Sequence, residues 1–388
     1  MIIKHYLWKQ VCLFMCMLIL SSGCSSWRMA WNNRLGDKLT WHKATPVDDG
    51  TSLHALWIKD LDPSYETGNL PIALNSPLIY RGKVFIGHNS GKMQSYDLEN
   101  GRLLWSENER GTYHSAPVGY NDLILYGTVQ GRFNARNYLT GELVYSVDLG
   151  ASVESEATIS NSRVFVHLRN HKIFSLDAET GKVLWSYQRS VPFLNTIQGV
   201  SKPVVYQGKV LVGMADGQVL ALGFDDGALL WERQLSSGGK FVDVDAAPFV
   251  YGDNVLVAPE MGPLFLLASS TGKVIRTVEY PISRSPILLN DGLVLGTSSG
   301  EVLFVTKDLK EVWRRKVSDG NITGYHLFKN RLVVTDVTGK VSILDPVLGK
   351  ILFQKHLGHA SSAIFGKMSV EGKHLLILSS RNRLYDFN

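Results

Sequence analysis

The chain has 388 residues, 45% of them hydrophobic and 19% charged, a balance that excludes intrinsic disorder. Lys and Arg exceed Asp and Glu by only 40 to 35, and the excess is scattered, so the basic stripe that nucleic acid requires is missing. With 36 Gly against 13 Pro, the composition suits many tight turns between short strands.

The first element is a targeting segment. Lys4 and Lys9 precede an apolar run at residues 11–20, too short to span a bilayer and right for the core of an export signal. "LSSGCSS" then places small residues before Gly23 and Cys24, the layout of a bacterial lipoprotein signal in which cleavage frees Cys24 for acylation. An ordinary export signal with an incidental Cys is the alternative. The three cysteines are Cys12, Cys16 and Cys24, so cleavage before Cys24 leaves the mature domain without a thiol to mispair in an oxidising compartment. The expected organisation is a signal at 1–23, a lipidated Cys and polar tether at 24–52, and one repetitive domain at 53–388. Ser25 follows the Cys, and by resemblance to sorted lipoproteins this implies the periplasmic face of the outer membrane.

Beyond the tether one phrase recurs. "DLENGRLLW" ends at Trp105, "NYLTGELVY" at Tyr145, "DAETGKVLW" at Trp185 and "GFDDGALLW" at Trp231. "ASSTGKVIR" ends at Arg276, "TKDLKEVW" at Trp313 without its Gly, and "DPVLGKILF" at Phe353. The steps are 40, 40, 46, 45, 37 and 40 residues, the period of propeller blades. In the first unit, 76–80, 84–87, 93–97 and 102–105 read as four short strands separated by Gly-containing turns. The phrase is the hairpin between third and fourth strands. Its Gly supplies the positive φ of the turn, its Asp accepts turn amides, and its Trp packs between blades. A last unit at 364–370, 373–379 and 382–388 lacks a fourth strand, and "HALWIKDL" at 54–61 has a Leu–Trp pair with no preceding strands. The sequence therefore predicts an all-β, eight-bladed β-propeller, closed by an N-terminal strand that completes the last blade.

Chemistry is harder to find. The phrase resembles the repeat of pyrroloquinoline-quinone (PQQ) enzymes, which makes a quinoprotein dehydrogenase the enzymatic alternative. That family implies a calcium held by Glu, Asn and Asp, a base near the quinone, and often adjacent cysteines. Here no cysteine follows Cys24, and no such cluster stands out from the turn positions. His88, His114, His167, His171 and His326 are scattered, and "HLGH" at 356–359 has no third ligand in view. The expectation is a binding scaffold with no catalytic residue, cofactor or metal.

Two connections between blades are long, Trp185 to Pro203 and Trp231 to Pro248, and successive blades place them side by side on one face. The second contains "FVDVDAAP" at 241–248. With the repeats, the lipoprotein signal and the length, this phrase resembles the BamB family of outer-membrane β-barrel assembly lipoproteins over nearly the whole chain. The resemblance implies docking on the periplasmic domains of the barrel-assembly protein BamA and aid to unfolded outer-membrane protein precursors. It also implies contact through Asp243 and Asp245; capping of turns at the ring mouth is the other reading of those acids. The family's second contact loop typically reads Leu–x–Leu–Arg–Gly. Here Leu194 and Ile197 keep its apolar character, but Gln198 stands where the Arg would be.

Overall fold

A computed structural model describes residues 52–61, 74–88, 90–109, 111–190, 200–236, 242–260, 262–282, 284–289, 291–358 and 362–388. The expected signal, Cys24, nearly all of the tether, and Leu194 and Ile197 lie outside the described residues.

The described residues form eight antiparallel sheets of four strands. Blades 1 to 8 open with the inner strands Leu78–Tyr80, Val118–Tyr120, Thr158–Ser160, Val204–Tyr206, Phe249–Tyr251, Ile287–Leu289, Ile322–Phe328 and Ser369–Glu371. Seven sheets take their strands in chain order. The eighth sets Ala55–Asp60 outside Arg383–Phe387, with Ile58 opposite Tyr385 and Asp60 opposite Arg383. This is the eight-bladed propeller read from the repeat, including its terminal clasp.

Second and third strands are buried on both faces, because each sheet lies between two others. Val84, Phe85 and Ile86 in blade 1 and Val210, Leu211 and Val212 in blade 4 are fully buried. Outer strands alternate between exposed and covered positions, as in Leu103–Asn108. They run three residues beyond the aromatic where the sequence reading ended them, since pairing continues to Lys92 opposite Asn108. In blade 8 the inner strand is Ser369–Glu371, so of the expected 364–370 only 369 and 370 are strand. Ile364 is instead a buried plug, and Gly366 lies so close to the Asn75 carbonyl that a Cβ would sit 2.1 Å from it.

The recurring phrase interlocks neighbouring blades. The indole N–H of Trp105 in blade 1 donates to Tyr138 O in blade 2 at 3.1 Å. Trp57, Trp185, Trp231 and Trp313 donate in the same way to Leu98, Phe224, Ser269 and Pro346 of the following blade, and the Tyr145 hydroxyl donates to Ala178 O. The turn glycine of the receiving blade lies against the ring. A Cβ on Gly101, Gly141, Gly181, Gly227, Gly272 or Gly349 would come within 2.5 to 2.8 Å of that aromatic. Those glycines also have φ between 63° and 78°. Each Gly thus meets two demands, backbone sign and room for a ring, of which the sequence reading identified the first. Between blades 5 and 6 both partners change together. Arg276 replaces the aromatic and donates to Asp308 O at 2.6 Å, and Leu309 occupies the turn at φ 56°.

Candidate functional site at the ring mouth

Antiparallel order puts every blade-to-blade connection at the same end as the turns between second and third strands. The aromatic hairpins occupy the other end. At the mouth, several connections drop one apolar side chain onto a glycine ending a second strand. Tyr113 covers Gly87, Val153 covers Gly127 and Val244 covers Gly213, while Gly296 is covered by Ile322 and Tyr325 of the blade 7 inner strand itself; a Cβ on any of these glycines would meet them at 2.1 to 2.7 Å. Backbone bonds fix the same contacts, Val153 N to Thr128 O and Val244 N to Met214 O, each at 3.0 Å.

Val244 therefore positions the two acids beside it. Asp243 is 6% exposed and lines a cavity of about 10 Å³ with His167, His171 and Ser201. Asp245, partly exposed, borders that cavity and also the central channel, a space of about 370 Å³ walled by all eight blades. Asp243 Oδ1 and Asp245 Oδ1 are buried atoms with no hydrogen-bond partner among the described residues. Burial pushes both carboxyls above the usual range, with the Arg284 charge opposing this at Asp245.

Two further residues complete the cluster. Glu260 lies in the 258–263 turn of blade 5, six residues long where its equivalents have three or four. Its backbone N–H donates to Asp243 O at 2.8 Å. Burial, then the charge of Asp245, raises the Glu260 carboxyl to about 8. Arg284 comes from the connection into blade 6, where its Nε donates to Thr323 O at 3.2 Å. Sequence reasoning missed both. The signal for Glu260 was the two-residue excess of "APEMGP" over turns such as "HNSG" and "MADG"; nothing local marks Arg284.

The other long connection returns next to these acids. Ser201, which follows the segment with Leu194 and Ile197, donates its hydroxyl to Ala246 O at 3.4 Å and receives Gly213 N–H at 3.2 Å. His167 Nδ1 lies 3.0 Å from Ser201 O, so that nitrogen carries the proton; burial pushes the imidazole down to about 3 and keeps it neutral. Across the channel, Glu156 of blade 3 pairs with Lys202 of blade 4 and, at 3.3 Å, with Lys367 of blade 8. Despite burial, these two ammonium groups hold the Glu156 carboxyl below its ordinary range. Glu154 pairs with Arg169 at 2.9 Å. Among the described residues, no three His, Cys, Asp or Glu side chains gather in a metal-holding arrangement. The mouth thus combines two acids held on either side of Val244 with a channel bridged by Glu156, Lys202 and Lys367.

Residues 89–309 match the family model described as outer membrane protein assembly factor BamB. Among curated proteins, the chain is 24% identical over 300 residues to the outer membrane protein assembly factor BamB of Shewanella oneidensis, covering 71% of this chain and 75% of that protein. The Nitrosomonas eutropha protein of the same name is 23% identical over 355 residues, 88% of this chain and 86% of its own. The crystal structure of BamB from Moraxella catarrhalis superposes with a TM-score of 0.72 at 24% identity, over 87% of this chain and all of that one. A quinohemoprotein alcohol dehydrogenase from Comamonas testosteroni shares the fold, with a TM-score of 0.70 at 12% identity over 87% of this chain and 77% of that one.

Proposed function

The chain belongs to the BamB family of outer membrane protein assembly factors, and from that premise we propose that it is a non-enzymatic scaffold lipoprotein of the outer-membrane β-barrel assembly machinery. After cleavage, acyl chains on Cys24 hold it to the periplasmic face of the outer membrane, each buried methylene contributing about 0.8 kcal/mol. Residues 25–52 tether the propeller. The ring mouth docks on the periplasmic domains of a BamA-like protein and so brings unfolded outer-membrane protein precursors to the site of insertion.

The observation that carries this reading is the convergence at the mouth. The long connection with Leu194 and Ile197 returns at Ser201, in contact with Ala246 beside Asp245. Asp245 borders the channel, and with Asp243 it borders the small cavity. Binding energy then rests on a few anchors rather than the whole face. Gln198 leaves the contact without the cation typical of the family.

The quinoprotein alternative has only the fold in its favour. The channel acids Glu156 and Glu154 do not fit a calcium–quinone site, because Glu156 is held by Lys202 and Lys367, and Glu154 by Arg169. Affinity capture of the detergent-extracted protein, followed by identification of its companions, tests the reading. Recovery of a BamA-like protein is expected. Dye-linked dehydrogenase activity on addition of PQQ, with no barrel-assembly protein recovered, would overturn it.

A further inference from the structure

Connections at the mouth are bonded neighbour to neighbour. Thr158 Oγ1 of blade 3 donates to Pro203 O of blade 4, Ser201 Oγ donates to Ala246 O in the connection into blade 5 at 3.4 Å, and Ser369 Oγ of blade 8 donates to Pro77 O of blade 1. Glu156 departs from this pattern. It stands two residues before the inner strand Thr158–Ser160. Its carboxylate divides between two cations, Oε1 meeting Lys202 Nζ of blade 4 and Oε2 meeting Lys367 Nζ of blade 8 at 3.3 Å. The second pair joins walls of the channel that blades 1 and 2 separate.

Each oxygen of Glu156 thus holds one ammonium group. The Glu156 side chain is 22% exposed, so water and salt screen these pairs less than they screen pairs at the surface. Despite burial, the charges of Lys367 and Lys202 hold the carboxyl below its ordinary range, in agreement with a carboxylate fixed by both. The backbone behind each ammonium group is itself anchored. Lys202 follows Ser201, whose hydroxyl receives Gly213 N–H at 3.2 Å and whose carbonyl accepts His167 Nδ1 at 3.0 Å. Lys367 N–H donates to Ser76 Oγ at 2.7 Å, and Gly366 lies against Asn75 O. The bridge therefore ends, on the blade 4 side, one residue from Ser201, which contacts Ala246 beside Asp245.

We infer that Glu156 is a positioning residue for docking: its bridge to Lys202 and Lys367 fixes the return of the long connection at Ser201, and with it the backbone that carries Asp245, against the far wall of the channel. The inference rests on the docking reading above. Two partners are needed for this because the terminal torsion of a Glu side chain is broad, so a single ammonium group does not set the plane of the carboxylate. Without Lys367 the carboxylate turns about that torsion, and the place of Lys202 is no longer referred to blade 8. Residues in one ion-pair network couple. Glu156 and Lys367 therefore act on docking as one unit rather than as two independent contributions.

The test measures affinity of the lipidated, detergent-solubilised protein for the soluble periplasmic portion of the BamA-like partner, on variants whose melting curves are recorded alongside. Glu156→Gln keeps the shape and removes the charge, and should weaken docking roughly three- to tenfold. Lys367→Met should weaken it by no more than that. Lys367→Arg keeps the cation and should bind within about twofold of the wild type. The double variant Glu156→Gln, Lys367→Met should bind as Glu156→Gln alone does. Additive losses would make Lys367 a direct contact of the partner, and wild-type affinity in both single variants would confine the bridge to stability; either result overturns the inference while docking stands. Should Glu156→Gln fail to fold, Glu156→Asp takes its place in the same cycle, since it keeps the charge but is too short to span both cations. Asp245→Ala should weaken binding; affinity equal to the wild type would overturn the docking reading and this inference with it.

Discussion

The two ends of the ring are locked by similar means and differ in what those locks leave over. At the hairpin end, an aromatic from one blade lies on a turn glycine of the next, and six of the blade junctions repeat the pairing. At the mouth, apolar side chains such as Val153 and Val244 lie on strand-end glycines. The hairpin lock uses up its residues. The Trp is buried, its N–H is bonded, and the turn Asp is occupied by turn amides, as at Asp177 with Thr180 N–H at 2.9 Å. The mouth lock uses only the central residue of each connection, and beside Val244 it leaves Asp245 partly exposed at the channel. Asp243 and Asp245 stand on either side of Val244.

This contrast can be broken most severely at the clasp, which serves the whole ring. Deleting residues 53–60 removes Trp57 and the outer strand of blade 8. Thermal denaturation should shift down by about 10 °C or more, since a buried Trp alone is worth roughly 3 kcal/mol or more. An unshifted melt would mean that the ring does not depend on its closure.

Next in size is a substitution at the hairpin end, paired with a control. Gly227→Ala forces a Cβ to 2.5 Å from the Trp185 ring at φ 71°, whereas Gly208→Ala meets the same φ with nothing within 4 Å. The control should lose about 1 kcal/mol from the backbone alone. Gly227→Ala should lose about 2–4 kcal/mol in chemical denaturation, the difference being the displaced ring. Equal losses would reduce the glycine to a turn former.

A smaller, more local effect sharpens the other half of the comparison. Gly213→Ala sets a Cβ 2.2 Å from Val244 O. It should cost about 1–3 kcal/mol of stability and also weaken docking, because Asp243 and Asp245 move with Val244. Gly227→Ala, at the far end, should leave docking intact while the protein stays folded. Loss of docking in both variants would refute the division between the two ends.

Much of this architecture was legible in the sequence because it repeats. The Gly and the Trp of "DAETGKVLW" stand in one phrase, so period, hairpin and blade count could be read together, as could the orphan Leu–Trp at 56–57. The pairing of that Gly with the Trp of another blade was not legible, since it joins residues such as Gly227 and Trp185 that no local pattern connects. The paired loss at Arg276 and Leu309 becomes intelligible only with that contact known. At the mouth, Asp243 and Asp245 were visible as a phrase. Glu260 and Arg284 were not, because they reach the acids from the far side of blade 5 and from blade 6.

The central claim is that the mouth acids serve docking while the interlocks carry the fold. The most direct measurement is the affinity of the Asp243→Ala, Asp245→Ala double variant for the periplasmic portion of the BamA-like partner at pH 7.5, on protein whose melting curve matches the wild type. The account predicts a loss of at least about tenfold, the scale of one or two anchor residues. Wild-type affinity in that variant would contradict it and return both acids to capping turns at the channel.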